Sequence, residues 1–241
     1  MNFDIVVPLW NEEKNIPHLI KMFEESNLQG LGLKNIILVD NGSVDKTTDL
    51  AESAAAQNSM FKFIRLNENV NYGGGIVEGL KICESDFVGH VPGDLQVTAD
   101  DIEKVWKRTK QLVKENSSSM LLVKGYRSVR KDGWNTRIAS FVYTLLAMLV
   151  LRIYIKDVNG LPKIYNREIL NILPSQKIKT FVLDAQIIHA AKRSKWVVDE
   201  VAVTFHARRE GVSTWSKKRL PVYLESIRLL FKVKKLWSLK S

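Results

Sequence analysis

The sequence predicts an α/β fold built on a mostly parallel sheet, and three observations carry that expectation. Short apolar runs alternate with amphipathic segments through the first 120 residues, the order of a parallel sheet covered by helices. The first four apolar runs each end in a polar or glycine-bearing stretch, and ligands sit at strand carboxyl ends in such sheets. At 241 residues, 45% hydrophobic and 26% charged, the chain suits one large α/β domain or two small ones and is not disordered.

The elements follow in order. "FDIVVPL" (3–9) reads as a strand and "NEEKNIPHLIKMFEES" as a helix. "NIILVD" (35–40) is a second strand, followed by "GSVDKTTDLAESAAAQ" as a helix. "FKFIRL" (61–66) is a third, and "GGGIVEGLKICES" a helix that opens with glycines. "DFVGHV" (86–91) is a fourth, before a helix "TADDIEKVWKRTKQLVKE" with acidic residues where the helix dipole favours them.

From residue 116 the pattern changes. "NSSS" makes a soft break before the strand "MLLVKGYR". "IASFVYTLLAMLVLRIYI" (138–155) is 18 mostly apolar residues, borderline for a membrane span; a buried core helix and an interfacial helix compete with that reading. After "DVNGLPKIYNREIL" come a helix "FVLDAQIIHAAKRS", a strand pair around "WVVDEVAVTFHARR", and a basic tail from Lys217. There are no internal repeats.

Charge divides the chain. Residues 1–120 carry 12 Lys and Arg against 18 Asp and Glu, and residues 121–241 carry 24 against 8. A half at +16 suits an anionic partner such as nucleic acid, a membrane surface or a phosphorylated substrate, or else a solvated basic surface. The single cysteine, Cys83, excludes an internal disulfide framework and fits a reducing compartment. "MNFDIVVPLWNEE" has no basic n-region and enters a strand at once, so a cytoplasmic location is expected. No nucleic-acid recognition motif occurs in the basic half, and no G-x-G-x-x-G follows the first strand, which disfavours nucleic-acid binding and dinucleotide chemistry.

The strand ends supply the candidate site. Pro8, Leu9, Asn11 and Glu12 lie just beyond the first strand, where a turning backbone meets a base. Asp40 is either a partner for a base or ribose hydroxyl or the cap of the next helix, with Gly42 and Ser43 letting the chain pass close by. Gly74, in the run 73–75, permits close backbone approach where helix N–H groups favour anions, or else makes a tight turn. At the fourth strand, "PGDLQ" offers Asp94 and Gln96 to a hard divalent cation. Arg127, Arg137 and Arg208 have the guanidinium fork that matches phosphate oxygens. The four histidines show no metal-ligand spacing, though His90 adjoins the strand-four end.

In sequence order, "VVPLWNEEKNI", "ILVDNGSVDKT", "NENVNYGGGIVEGL" and "PGDLQ" resemble the inverting family-2 glycosyltransferases with a GT-A fold. The second half resembles their dolichol- and polyprenyl-phosphate mannose synthase-like branch. Gly125-Tyr126-Arg127, Trp134 to Arg137, Asp157 to Gly160, the helix running into "EVAV", and Arg208 with Gly211 and Ser213 carry that likeness. The resemblance covers residues 3–215 and implies a GT-A domain over 1–215, with a nucleotide-sugar half (1–120), an acceptor half (121–215) and a basic amphipathic segment (216–241).

It further implies a GDP- or UDP-sugar donor, a polyprenyl-phosphate or other lipid-linked acceptor, and Mg²⁺ or Mn²⁺ on the diphosphate. The family's metal motif reads Asp-Ala-Asp-Leu-Gln; here Pro92 replaces the first Asp, leaving Asp94 and Gln96, with Lys or Arg as further counter-charge. Arg127, Arg137, Arg208 and Ser213 become acceptor or phosphate ligands. A lipid phosphate arrives ionised and needs no strong base, whereas a sugar hydroxyl does; Asp157 and then Asp184 are the candidate bases. A non-catalytic nucleotide-sugar-binding protein is the reading from another class that Pro92 raises. The tail "RLPVYLESIRLLFKVKKLW" groups Leu220, Leu224, Ile227, Leu230 and Phe231 near one face among basic residues. That suits peripheral attachment at the inner membrane face, with a membrane partner protein or a second copy as further partners, or else packing on its own domain.

Overall fold

The computed structural model describes residues 1–116, 120–174, 178–210 and 219–238. Its strands are β1 (Phe3–Leu9), β2 (Leu33–Asp40), β3 (Phe61–Arg65), β4 (Phe87–His90), β5 (Leu121–Arg130), β6 (Lys163–Asn166) and β7 (Val197–Phe205). Its helices are α1 (Ile16–Glu24), α2 (Leu28–Leu31), α3 (Thr47–Gln57), α4 (Asn71–Lys81), α5 (Ala99–Glu115), α6 (Trp134–Leu151), α7 (Ile169–Ile172), α8 (Leu183–Arg193) and α9 (Arg219–Ser238).

One seven-stranded sheet runs β3-β2-β1-β4-β6-β5-β7. β1, β2, β3 and β4 are mutually parallel, as are β5 and β7, while β6 runs antiparallel between β4 and β5. Reversal of β6 alone keeps β5 and β7 pointing with the first four, so six strands end on one edge. β6 is four residues long and lies inside "DVNGLPKIYNREIL", too short to announce itself by pattern. The expected strand pair near 196–209 is instead the single strand β7.

β1, β4 and most of β2 are buried on both faces, which is why they read as continuous apolar runs. Ile5, Val7, Ile36 and Leu38 face a core that includes Ile16, Leu19 and Phe23 of α1 and Ile102 and Trp106 of α5. Val6, Ile37 and Val39 face the other core, with Ile76 and Leu80 of α4, Ala147 of α6, Ile187 of α8 and Leu230 of α9. Thr98 and Asp101 cap α5 reciprocally, which fixes its start just after the β4 loop.

Two elements depart from expectation. α6 starts and ends four residues earlier than the apolar run, and only Tyr143, Thr144, Ala147 and Leu151 are buried, so it is no core helix. It is long and apolar enough to cross a membrane by length and composition, with a mean hydropathy of 1.3. In α9 the inward stripe is Ser226, Leu230 and Val233, at helical spacing, packed on α6 and α8. Leu224 and Phe231, expected beside Leu230, point to solvent. Leu220 lies outside the residues whose side chains are described.

Candidate active site

Three strand-end loops are laced into one platform. In the β1–α1 loop, the backbone N–H groups of Asn11, Glu12 and Glu13 donate to Ser43 Oγ, Thr47 Oγ1 and Asp45 Oδ2 of the β2–α3 loop. The reverse bonds run from Val44 N to Asn11 Oδ1 and from Lys46 N to Glu13 Oε2. Asn41 extends the lacing to the β3–α4 loop, accepting from Val70 N and donating to Asn71 O. Asn11 holds φ 53°, a left-handed conformation that asparagine tolerates. The platform is thus fixed by polar side chains, the same residues that gave the sequence its polar strand ends.

The β4–α5 loop brings Asp94 to the platform's edge. Asp94 is buried; its Oδ1 accepts from Gln96 N and its Oδ2 lies 2.8 Å from Arg208 Nη2. Arg208 Nη1 lies 3.6 Å from Glu12 Oε1, so one guanidinium spans carboxylates from two loops. Burial pushes both the Asp94 and Glu12 carboxyls up, and Arg208 opposes that on both. Leu95, between Asp94 and Gln96, sits at φ 60°, a strained position for a branched apolar residue.

The far wall comes from the second half. Arg127 on β5 binds Asp157 through Nε–Oδ2 at 2.6 Å and Nη2–Oδ1 at 2.7 Å, and stacks over Phe205 at 5.1 Å. The guanidinium holds the Asp157 carboxyl well below the usual range against the opposing effect of burial. Asp184 opens α8; its Oδ1 meets Lys163 Nζ at 2.8 Å and His90 Nε2 at 3.0 Å, and His90 Nδ1 meets the Tyr165 hydroxyl. Burial raises the Asp184 carboxyl, but Lys163 and His90 outweigh it and hold it low; burial also keeps His90 neutral-leaning.

A cleft of about 910 Å³ gathers Pro8, Leu9, Asn11, Glu12, Asp94, Gln96, Arg127, Asp184 and Arg208 from the sequence-based candidates. The other candidates lie off its walls. Asp40 is fully buried and serves its own turn, accepting from Ser43 N and the Thr48 hydroxyl. Ser43 Oγ is taken by Asn11, and Gly42 is at φ 72° where a Cβ would meet Glu68 and Asn69. The Gly74 N–H donates to Lys179 O, not to open space, and a Cβ on Gly73 would strike Thr180 O, so these glycines let residues 178–183 cross α4. Asp157 stands behind Arg127, and Arg137 lies on the exposed first turn of α6, 5.6 Å over the Trp134 ring. Ser213 lies outside the described residues. Sequence reasoning missed Lys163, which only the register of β6 brings under the cleft, and Tyr72, Asn159 and Phe205 on its walls.

Asp94 and Gln96 are the residues that could hold a divalent cation. Asp94 Oδ2 already holds a cationic partner in Arg208, and Gln96 Nε2 is committed to His206 O, which leaves Oε1 as that amide's ligand atom. Among the described residues no cluster of three His, Cys, Asp or Glu forms a closed cage. Such a cation would therefore keep waters and substrate phosphates as ligands, the Mg²⁺-like habit.

A family model described as glycosyl transferase family 2 matches residues 4–173. The undecaprenyl-phosphate 4-deoxy-4-formamido-L-arabinose transferase of Pseudomonas syringae pv. syringae is 29% identical over 219 residues, covering 90% of this chain and 61% of that protein. Its counterpart in Pseudomonas fluorescens is 27% identical over 217 residues with the same coverage, so this chain spans 61% of the length of both relatives. Among solved structures, glucosyl-3-phosphoglycerate synthase from Mycobacterium tuberculosis in complex with UDP superposes with a TM-score of 0.68 at 16% identity, over 96% of this chain and 80% of that one. The same enzyme with Mn²⁺, UDP and phosphoglyceric acid gives 0.68 at 16% identity, over 96% and 76%. At that identity the likeness establishes a shared GT-A fold.

Proposed function

The chain belongs to glycosyl transferase family 2, and we propose that it moves a sugar from a nucleotide-sugar donor to a polyprenyl-phosphate lipid at a membrane surface. One observation carries the choice of acceptor: both candidate carboxylate bases are already committed. Asp157 has both oxygens on Arg127, and Asp184 is paired with a fully buried Lys163. A carboxylate held below its ordinary range is a poor proton acceptor. A phosphate acceptor needs none, because its oxygen is ionised at neutral pH. Relatives named for transfer to undecaprenyl phosphate support the same reading.

The platform of Pro8, Leu9, Asn11 and Glu12 holds the nucleoside, with Asp94 at its diphosphate. A divalent cation bound at Asp94 and Gln96 supplies charge stabilisation to the departing diphosphate. Arg127, locked by Asp157 through Nε and Nη2, turns its remaining Nη1 edge to the acceptor phosphate from the opposite wall. The acceptor oxygen forms its bond to the anomeric carbon as the bond to the donor's phosphate oxygen breaks, and the nucleoside diphosphate leaves with that electron pair. Transfer in line inverts the anomeric centre.

The outer face suits a lipid acceptor. Trp134, Phe141 and Leu149 of α6 are each more than two-thirds exposed, and Leu224 and Phe231 of α9 are more than half exposed. Val222, on α9, reaches the cleft wall, so the helix that carries part of this apolar face also borders the site. The basic second half adds attraction to anionic lipid, about 1 kcal/mol per Lys or Arg near the surface. We place the protein peripherally on the cytoplasmic face of the membrane.

The test is transfer of label from UDP- and GDP-sugars to polyprenyl phosphate in detergent or vesicles. A labelled lipid is expected with one donor class. Product only on a glycan hydroxyl would overturn the acceptor, and donor binding without any product would favour a non-catalytic binding protein.

A further inference from the structure

Arg208, Asp94 and Glu12 reach one point from three separate segments: the stretch after β7, the β4–α5 loop and the β1–α1 loop. Glu12 is aimed there by its neighbours, since its backbone N–H is held by Thr47 and its Oε2 by Asn15 Nδ2. Oε1 is left for Arg208. The Asn15 side chain lies on the same wall, 2% exposed, and its Oδ1 is buried with no hydrogen-bond partner among the described residues. Two carboxylates around one guanidinium, with an orphaned amide oxygen on the side chain bonded to Glu12, make a set of hard oxygen donors, the kind a divalent cation takes. Pro92 stands where a carboxylate would lie on β4's own loop, and Glu12 on the neighbouring β1–α1 loop meets the same guanidinium as Asp94.

We propose that Arg208 occupies the position of the donor's divalent cation, so that guanidinium and cation are alternative counter-charges for Asp94 and Glu12. This rests on the nucleotide-sugar reading above and adds an order to it. A bare cation must expel Arg208 into solvent and binds weakly. A cation arriving with a diphosphate gives the expelled guanidinium a new anion, so the two bind together.

Mn²⁺ binding followed by loss of its free EPR signal, and UDP and GDP binding by calorimetry with Mn²⁺, test this on the full chain. Arg208→Gln is expected to bind bare Mn²⁺ about fivefold tighter, the equivalent of losing one half-buried ion pair. The same variant is expected to bind the diphosphate with Mn²⁺ more weakly. Adding Glu12→Gln to Arg208→Gln is expected to cancel the gain. Arg209→Gln, at the exposed neighbouring arginine, removes the same charge without touching Asp94 and is expected to match wild type. The proposal is overturned if Arg208→Gln binds Mn²⁺ no tighter than wild type, including no binding by either, or if Arg209→Gln gains as much. Failure of wild type to bind either UDP or GDP with Mn²⁺ sinks the donor reading instead, and the bare Mn²⁺ comparison still decides this one.

Discussion

Arg127 grips Asp157 through two parallel bonds of 2.6 and 2.7 Å, and the Arg127 backbone N–H adds a third at 3.2 Å. Fork-to-fork pairing of this kind fixes the orientation of both partners. The Asp157 carbonyl is held in turn by Lys124 Nζ, and its N–H by Glu200, so the loop beneath Arg127 is braced from β5 and β7. Asp157 is therefore a positioning residue for Arg127.

Asp157→Asn is expected to raise the KM for lipid phosphate by about tenfold or more while leaving the shape of the pH–rate profile unchanged. Arg127→Lys is expected to do the same, because an ammonium cannot make the paired contact. Steady-state kinetics across pH check both; an acidic limb that vanishes in Asp157→Asn would make it a base after all.

The first half of this site was legible because its chemistry is local. Each parallel strand ends in its own polar loop, so reading four strand ends in order was enough to assemble Asn11, Glu12 and Asp94. Asp40, Ser43 and Gly74 carried the same polar or glycine signal, yet the structure spends them on turns and on packing. Sequence cannot separate the two uses, since both want short polar side chains and bare backbone. The second half depends on register. Lys163 meets Asp184 only because β6 inserts antiparallel between β4 and β5, and four residues of strand do not announce that.

Asp184→Asn leaves Lys163 fully buried without a carboxylate. Breaking a buried pair from one side costs about 3 kcal/mol, and replacing both partners by neutral groups recovers much of it. A fall in Tm of about 6–10 °C is expected for a chain of this size. Lys163→Met in the same background is expected to restore more than half of that, by calorimetry. Folded Asp184→Asn is expected to keep transfer to lipid phosphate; abolished turnover in a folded protein would instead point to a hydroxyl acceptor.

The apolar face of α6 makes a separate prediction. Trp134, Phe141 and Leu149 pack little of their surface on the protein, so Ser at all three is expected to leave Tm within about 2 °C. Burial of such side chains in lipid is worth about 1.5–3 kcal/mol each. The triple variant is expected to lose sedimentation with vesicles containing anionic lipid by at least about a hundredfold in partition coefficient. Wild-type binding is expected to weaken in high salt, because the basic half contributes through charge.

His189 ties α8 to α9 and sets the acid limit of that packing. Its ring meets Trp237 edge-on at 5.8 Å, its Nδ1 is buried without a hydrogen-bond partner among the described residues, and burial with Arg193 nearby lowers its pKa to about 4. The unfolded chain takes up the proton near 6.5, so between about 6.5 and 4 the unfolded state binds more protons than the folded one. The contribution from a neutral His189 is complete above pH 6.5 and is lost as pH falls through 4. Denaturant midpoints are expected to drop across that window in wild type, and His189→Phe is expected to flatten the slope while keeping the contact with Trp237. An unchanged slope in His189→Phe would assign the acid sensitivity to other groups.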